Sequence, residues 1–506
     1  MKKLVDLIQS LSKSEKRYFK LMAGLQRGEK NYLELMNAIA KQKDYNETQL
    51  LKKFKDRSFT KNFGVAKSDL YKLILKSLRQ YHSQNSTTSQ LTDLLKDIEI
   101  LYQKGLYEQC QGLIRKGISL AHKSDKFLFK PLFIFWERAL NQTHYYSFDE
   151  NTIEQSWKDV KDALEQGIGY NDYWKVSSLC FLYYQKYSLS GDKLSKKKLE
   201  LMQQNPLLEK EQATSFLARQ LFYNTQIFFS QVEGNLEASL VYAKQIVDLF
   251  EANPLILKNN LKSYIIVCHN YISILIDVGA YREAKEKIDW LPQILLKYPK
   301  QHQKTIEMLV FRYEAYLELT IANRTCQFDR VKTKLSRFHQ QLELFSADIG
   351  AFGILKIYYQ LSYLYFLMED YNESQFCCYK ILQSQGLDWN KESFHINLIY
   401  LLAHYELGNV DLQESIGRQL YRMLRTEKNF SDFEHILSSF VRKLPLVYKN
   451  KALLKLYTTT YNKLDQLPEE ARNKITLDNF NILIWLKSKI EQRSFAVMIK
   501  EDSLEM

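Results

Sequence analysis

Val278-Gly279-Ala280-Tyr281-Arg282-Glu283-Ala284 separates two runs of helical pattern, each about twenty residues long. Gly279 can take the left-handed backbone conformation that ends a helix, because it has no Cβ to clash. Tyr281 is large enough to pack across the corner between two helices. Ala284 is small and lies one turn into the second helix, where the two helices must approach closely. Upstream, Leu261, Tyr264, Ile265, Cys268, Tyr271, Ile272, Leu275 and Val278 recur at spacings of three and four, which is one helix face. Downstream, Ala284, Ile288 and Leu291 continue on a new face. The stretch predicts an antiparallel helical hairpin.

A turn of the same build recurs along the chain. Gly105-Leu106-Tyr107 is followed by Cys110, Gly234-Asn235-Leu236 by Ser239, and Glu369-Asp370-Tyr371 by Ser374. Gly408-Asn409-Val410 is a weaker copy, and Gly191-Asp192, with Lys196 at the small position, is weaker still. Successive spacings are 86, 43, 45, 90 and 39 residues, so the unit is close to 43. The two missing turns fall near Phe148-Asp149 and Cys326-Gln327. About eight helical hairpins in register between residues 91 and 443 point to an α-solenoid. Pro206, Pro254 and Pro299 sit where second helices should stop, and Pro292 predicts a kink or restart inside one.

Gly-x-Tyr-x-x-Ala closed by proline resembles the tetratricopeptide repeat. The copy at Gly279, Tyr281, Ala284 and Pro299 matches best, and those at Gly105/Tyr107/Cys110 and Gly234/Leu236/Ser239/Pro254 match fairly. The resemblance implies an all-α, right-handed superhelical array that binds protein or peptide in its concave face, without catalysis. Two features depart from that family. The unit is longer than the family's roughly 34 residues, and the aromatic-and-glycine pattern expected inside the first helix is mostly absent.

Composition agrees with an all-helical chain. Among 506 residues there are only 16 glycines and 7 prolines, far below the usual ~7% and ~5%. No stretch has the charged start and apolar core of a signal peptide, since Asp6 interrupts the first one. The most apolar runs carry His269, Asn270, Gln360 and Ser362 and fall short of a membrane span. Six scattered cysteines without a CxxC pair suit reduced thiols, so a cytoplasmic location is expected.

The net charge of +13 is concentrated at one end. Residues 1–90 hold 19 Lys+Arg against 8 Asp+Glu, and the remaining residues hold 52 against 50. Residues 1–82 read as a small basic domain of about five short helices. Ser12 and Glu15 have the spacing of a capping box. Further helices are expected from Tyr32 to Ala40, from Asn46 to Phe54 and from Val65 to His82. The polar run 83–90 reads as a linker, 91–443 as the repeats, and 444–506 as a C-terminal cap with a frayed tail.

Candidate chemistry is sparse. Nucleotide, zincin and nucleophile-elbow motifs are missing from the sequence, and no cofactor is implied. Glu392-Ser393-Phe394-His395 is a lone ExxH, where a di-metal bundle needs two with further carboxylates. Cys377 and Cys378 are adjacent, so on a helix they point about 100° apart. The aromatic run Tyr358, Tyr359, Tyr363, Tyr365 and Phe366 suits interhelical packing better than a ligand groove.

Two sets of residues remain. Arg219, Asn224, Asn270, Arg312 and Asn397 interrupt apolar first helices, where they would hold peptide backbone or a carboxylate if that face is concave, and would simply face solvent otherwise. Lys13, Lys16, Arg17 and Lys20, with Lys52, Lys53, Arg57, Lys61, Lys72, Lys76 and Arg79, make the N-terminal domain a candidate for nucleic-acid phosphates or an acidic partner. The sequence is therefore read as a non-enzymatic protein- or peptide-binding scaffold without a membrane span. The alternative is a transcription-regulator-like protein with a nucleic-acid-binding head and a repeat domain that senses or dimerises. A homodimer is compatible with either.

Overall fold

The computed structural model describes the chain apart from residues 1, 25–29, 43–44, 84–85, 144–148, 191, 210–211, 299–303, 346–350, 384–390, 427–431, 448, 469–479 and 506. All regular elements among the described residues are helices. The chain divides into two compact units, Met1–Asn171 and Asp172–Met506.

Unit one begins with α1 (Lys2–Ser10), α2 (Lys13–Gly24), α3 (Lys30–Ala40), α4 (Glu47–Lys53) and α5 (Phe63–Tyr81). Their apolar faces close on one core that includes Ile8, Phe19, Leu35, Leu70 and Ile74. The capping box at α2 forms: Glu15 N–H donates to Ser12 Oγ (3.2 Å), and Ser12 N–H donates to Glu15 Oε2 (2.7 Å). Glu15 Oε1 also meets His82 Nε2 at 2.7 Å, which pins the start of α2 to the end of α5. Next come α6 (Thr87–Gln103), α7 (Tyr107–Lys123), α8 (Lys130–Thr143) and α9 (Glu150–Ser190). Ser86 caps α6 by accepting from Ser89 N–H, so Thr87–Gln90 of the polar run form a helical turn. The division between the units falls inside α9, which runs unbroken for 41 residues.

Unit two continues with α10 (Lys193–Gln203), α11 (Pro206–Glu209), α12 (Phe216–Val232), α13 (Leu236–Glu251), α14 (Pro254–Asn259), α15 (Leu261–Asp277), α16 (Tyr281–Trp290), α17 (Gln293–Lys297), α18 (Lys304–Thr325) and α19 (Asp329–Phe345). It ends with α20 (Ala351–Leu367), α21 (Tyr371–Leu382), α22 (Lys391–Glu406), α23 (Val410–Thr426), α24 (Asp432–Lys443), α25 (Asn450–Asp465), α26 (Ile482–Glu491) and α27 (Phe495–Glu505). Pro206 and Pro254 do more than stop second helices. They open the short helices α11 and α14, because proline lacks only an N–H that the first turn leaves unpaired. At Pro292 the second helix restarts, with α16 ending at Trp290 and α17 beginning at Gln293. Pro299 lies outside the described residues.

The recurring turn has one geometry. Gly105, Gly234, Gly279 and Gly408 all have positive φ, between 71° and 78°, and Glu369 holds the equivalent place at 62°. At Gly279 the residue's own N–H donates to Ile276 C=O (3.1 Å), and the next N–H, of Ala280, reaches back to Leu275 C=O (2.8 Å). The same pair of bonds closes the turns at Gly105, Gly234, Glu369 and Gly408. This is the Schellman closure, which satisfies carbonyls that a helix end would leave open. Five residues on, Cys110, Ser239, Ala284 and Ser374 are fully buried. Ser374 Oγ donates to Ser362 C=O on the facing helix (2.7 Å), so a larger side chain there would part the hairpin. Cys326, at the expected fourth turn of unit two, also has positive φ. Of the expected turn near Phe148-Asp149, Phe148 lies outside the described residues and Asp149 caps α9 by accepting from Thr152 N–H (2.9 Å).

Helices pair as α6/α7, α12/α13, α15/α16, α18/α19, α20/α21 and α22/α23. Second helices pack on the following first helices, as α13 on α15, α16 on α18 and α21 on α22. First helices also meet directly, α15 with α18, α18 with α20 and α20 with α22. The repeat-like packing of neighbours is thus explicit from α12 to α23.

The C-terminal cap sits in a different place from a simple end cover. After α25 the chain returns to α18, α20 and α22. Phe480 N–H donates to Tyr359 Oη (3.1 Å) and Asn481 N–H to Tyr363 Oη (3.4 Å). Phe480 and Phe495 stack among Tyr363 and Phe366, and Trp485 Nε1–H reaches Glu406 (3.2 Å). The expected frayed tail is helical to Glu505, with Met498 and Ile499 buried and Arg493 paired to Glu501. Apolar side chains at 495, 498 and 499 have a core to enter, and that holds the helix.

Candidate binding face

The first helices of three successive hairpins bring polar and aromatic groups together. On α15, His269 Nδ1–H donates to Asn270 Oδ1 (3.2 Å). On α18, Arg312 Nη2–H donates to Tyr313 Oη (2.9 Å), and its guanidinium lies 4.7 Å from that ring's centre. The His269 ring lies 4.0 Å from Tyr313 and 6.0 Å from Tyr316, centre to centre. From α20, Lys356 Nζ is 6.0 Å from the Tyr316 ring. Removal from water, with Arg312 and Lys356 nearby, pushes the His269 imidazole down to about 4. At neutral pH the cluster therefore offers two cations, two phenol rings and a neutral imidazole. Such a set suits the carbonyls, aromatic side chains or carboxylates of a peptide.

The five residues expected in a groove have different fates. Asn270 and Arg312 belong to this cluster. Asn224 is half-buried on α12. Arg219 Nε–H donates to Ala213 C=O (3.1 Å), which ties α12 to the loop before it. Asn397 is 1% exposed on α22, inside the packed layer. His269, Tyr313, Tyr316 and Lys356 were not singled out from the sequence. Tyr316 lies four residues after Arg312 and three after Tyr313, the spacing of one helix face, and that was the available signal.

Beside this face, α18 carries two buried carboxylates, Glu314 and Glu318. Both are met from α19. Arg330 and Lys334 pair with Glu318, and Lys334 and Arg337 with Glu314. Asp289 of α16 joins through Arg330 at 2.9 Å. The bonds to Glu318, then those to Asp289, hold the Arg330 guanidinium charged far above its usual range. This network ties two consecutive hairpins together. A cavity of about 350 Å³ opens next to it, lined by Lys285, Glu318, Arg330, Lys332 and Lys500 around the Cys326–Phe328 turn.

The aromatic run on α20 is packing. Tyr363, Tyr365 and Phe366 are buried, and Tyr359 and Tyr363 hold the returning C-terminal chain. Cys377 and Cys378 lie in two separate apolar cores, and burial pushes both thiols up, Cys378 to about 12. The Glu392 side chain lies outside the described residues, and His395 is buried on α22. Among the described residues no group of three His, Cys, Asp or Glu could hold a metal ion. No described helix is long and apolar enough to cross a membrane.

In the N-terminal head, Lys13, Arg17, Lys20, Lys52, Lys53, Arg57, Lys61, Lys72, Lys76 and Arg79 are exposed, and Lys16 is half-buried. They do not form one patch. The Lys52–Lys61 group lies at the start of α5 and the α2 group at its end, and a helix of 19 residues spans about 27 Å. Lys72, Lys76 and Arg79 lie along the helix between them. Arg57 is held by both oxygens of Glu34 (2.9 and 3.1 Å), and Lys72 lies 3.9 Å from Asp69. Comparison of the chain with known protein families, with curated proteins and with solved structures returns no match.

Proposed function

We propose that this protein is a non-enzymatic helical-repeat scaffold, a right-handed solenoid whose first helices line an inner wall that holds a segment of another protein. The observation that supports it is the cluster of Asn270 and Arg312 with His269, Tyr313, Tyr316 and Lys356, drawn from three consecutive first helices. A single helix would not gather such a set, whereas a stack of parallel first helices presents it as a continuous surface. A photo-crosslinking residue at position 316 tests the reading in living cells. Defined protein adducts should form there, disappear with Arg312→Glu and Lys356→Glu together, and be missing from a control position at Glu286. Equal labelling at 316 and 286, or adducts indifferent to the two charge reversals, would remove it.

The second reading is a head that contacts nucleic-acid phosphate. Its support is the exposed line Lys72, Lys76 and Arg79 in a region carrying most of the chain's net positive charge. Full-length protein should then shift duplex DNA at low salt with a steep salt dependence. No shift at low salt ends this reading. A cytoplasmic setting is part of both.

A further inference from the structure

We propose that the α9 face of unit one is a two-fold interface between two copies of this chain. Ile153, Trp157, Leu164 and Ile168 lie within one narrow stripe of α9 and are 50% to 63% exposed, with half-buried Val160 among them. Leu132 and Phe135 of α8 are 49% and 65% exposed. Leu128, just before α8, packs over Gly167 and extends the same surface. Elsewhere in unit one Leu21, Val65 and Ile100, also exposed, lie on three different helices, α2, α5 and α6. Seven half-exposed side chains of this size present roughly 700 Å² of apolar surface. That exceeds the ~300–600 Å² of a monomer's largest patch and approaches the ~800 Å² each partner gives a standard interface.

The spacing says what fits. Ile153 and Ile168 are equidistant from the Val160–Lys161 bond, and so are Trp157 and Leu164. Two antiparallel copies of α9 crossing at that bond would place each Ile153 against the other copy's Ile168, and each Trp157 against the other Leu164. An isologous interface requires such self-complementarity. Along one flank Lys158 would come beside Glu165 of the other copy. Lys161, nearest the axis, lies 3.7 Å from its own Glu165 and 5.1 Å from the Trp157 ring, so its charge is already compensated within the copy.

Sedimentation equilibrium and cysteine crosslinking of the full chain test this. The wild type should be a dimer at micromolar concentration. Trp157→Glu with Leu164→Glu should raise the dissociation constant at least a hundredfold while leaving the helical circular dichroism unchanged. Val160→Cys should form a disulfide dimer on mild oxidation and Ile153→Cys alone should not, whereas a mixture of Ile153→Cys and Ile168→Cys chains should crosslink. A monomeric wild type, a dimer indifferent to the double substitution, or self-crosslinking by Ile153→Cys would each overturn the proposal. The crosslinks give an answer even if the glutamate variant unfolds.

Discussion

Two helices carry the same basic pattern and use it in opposite ways. On α5, Lys72, Lys76 and Arg79 follow one another at spacings of four and three; on α19, Arg330, Lys334 and Arg337 do the same. The α19 set faces Glu314 and Glu318, and most of its charge is consumed inside the fold. The α5 set points to water, and among the described residues only Asp69 comes near it, 3.9 Å from Lys72. A basic stripe therefore says little by itself. What decides its role is whether the facing helix supplies carboxylates.

The largest test of that contrast is Glu318→Ala. It leaves Arg330 and Lys334 beside an emptied, buried site and should destabilise unit two by about 3 kcal/mol in urea unfolding. A cost under about 1 kcal/mol would mean that the α19 charges are as idle as those of α5. Next comes acid. His269 has a folded value of about 4, against about 6.5 when unfolded. The unfolded chain therefore takes a proton first, so stability is full above pH ~6.5 and falls as the pH drops towards 4. Burial lowers His404 in the same direction. His269→Gln should remove roughly 2 kcal/mol of this acid sensitivity, read as the wild-type-minus-variant difference between pH 7 and 4.5. Gly279→Ala, at φ 78° with open space around the missing Cβ, should cost about 1 kcal/mol from backbone strain alone. Smallest is the triple change of Lys72, Lys76 and Arg79 to Ala. Its effect on stability should stay within ~0.5 kcal/mol, and a larger loss would show that α5's charges also serve the fold.

Much of the helical layout was legible in the sequence because its punctuation is local. The capping box at Ser12 and Glu15, the start of α4 after Asn46, the restart at Pro292 and the left-handed turn residues each depend on a few neighbouring side chains. What escaped was set by distant ones. The helical pattern on either side of Gly167 and Gly169 gave no warning that α9 would run through both. The Tyr359 and Tyr363 hydroxyls looked like packing residues, and their bonds to Phe480 and Asn481 join chain segments 121 and 118 residues apart. The candidate face was half legible. Arg312 and Asn270 stood out as polar breaks in apolar runs, but Lys356 became meaningful only once α20 lay beside α18.

That long-range closure has a consequence for how the protein is made. Hairpins from α12 to α23 can form one after another as they leave the ribosome, since each turn joins neighbours in sequence. The surface around Tyr363 and Phe366 has to wait for Phe480 and Phe495. At ~5–20 residues per second, synthesis of the intervening chain takes roughly 6 to 24 s. For that interval the nascent protein carries an uncovered aromatic face, which is closed only when α26 and α27 arrive.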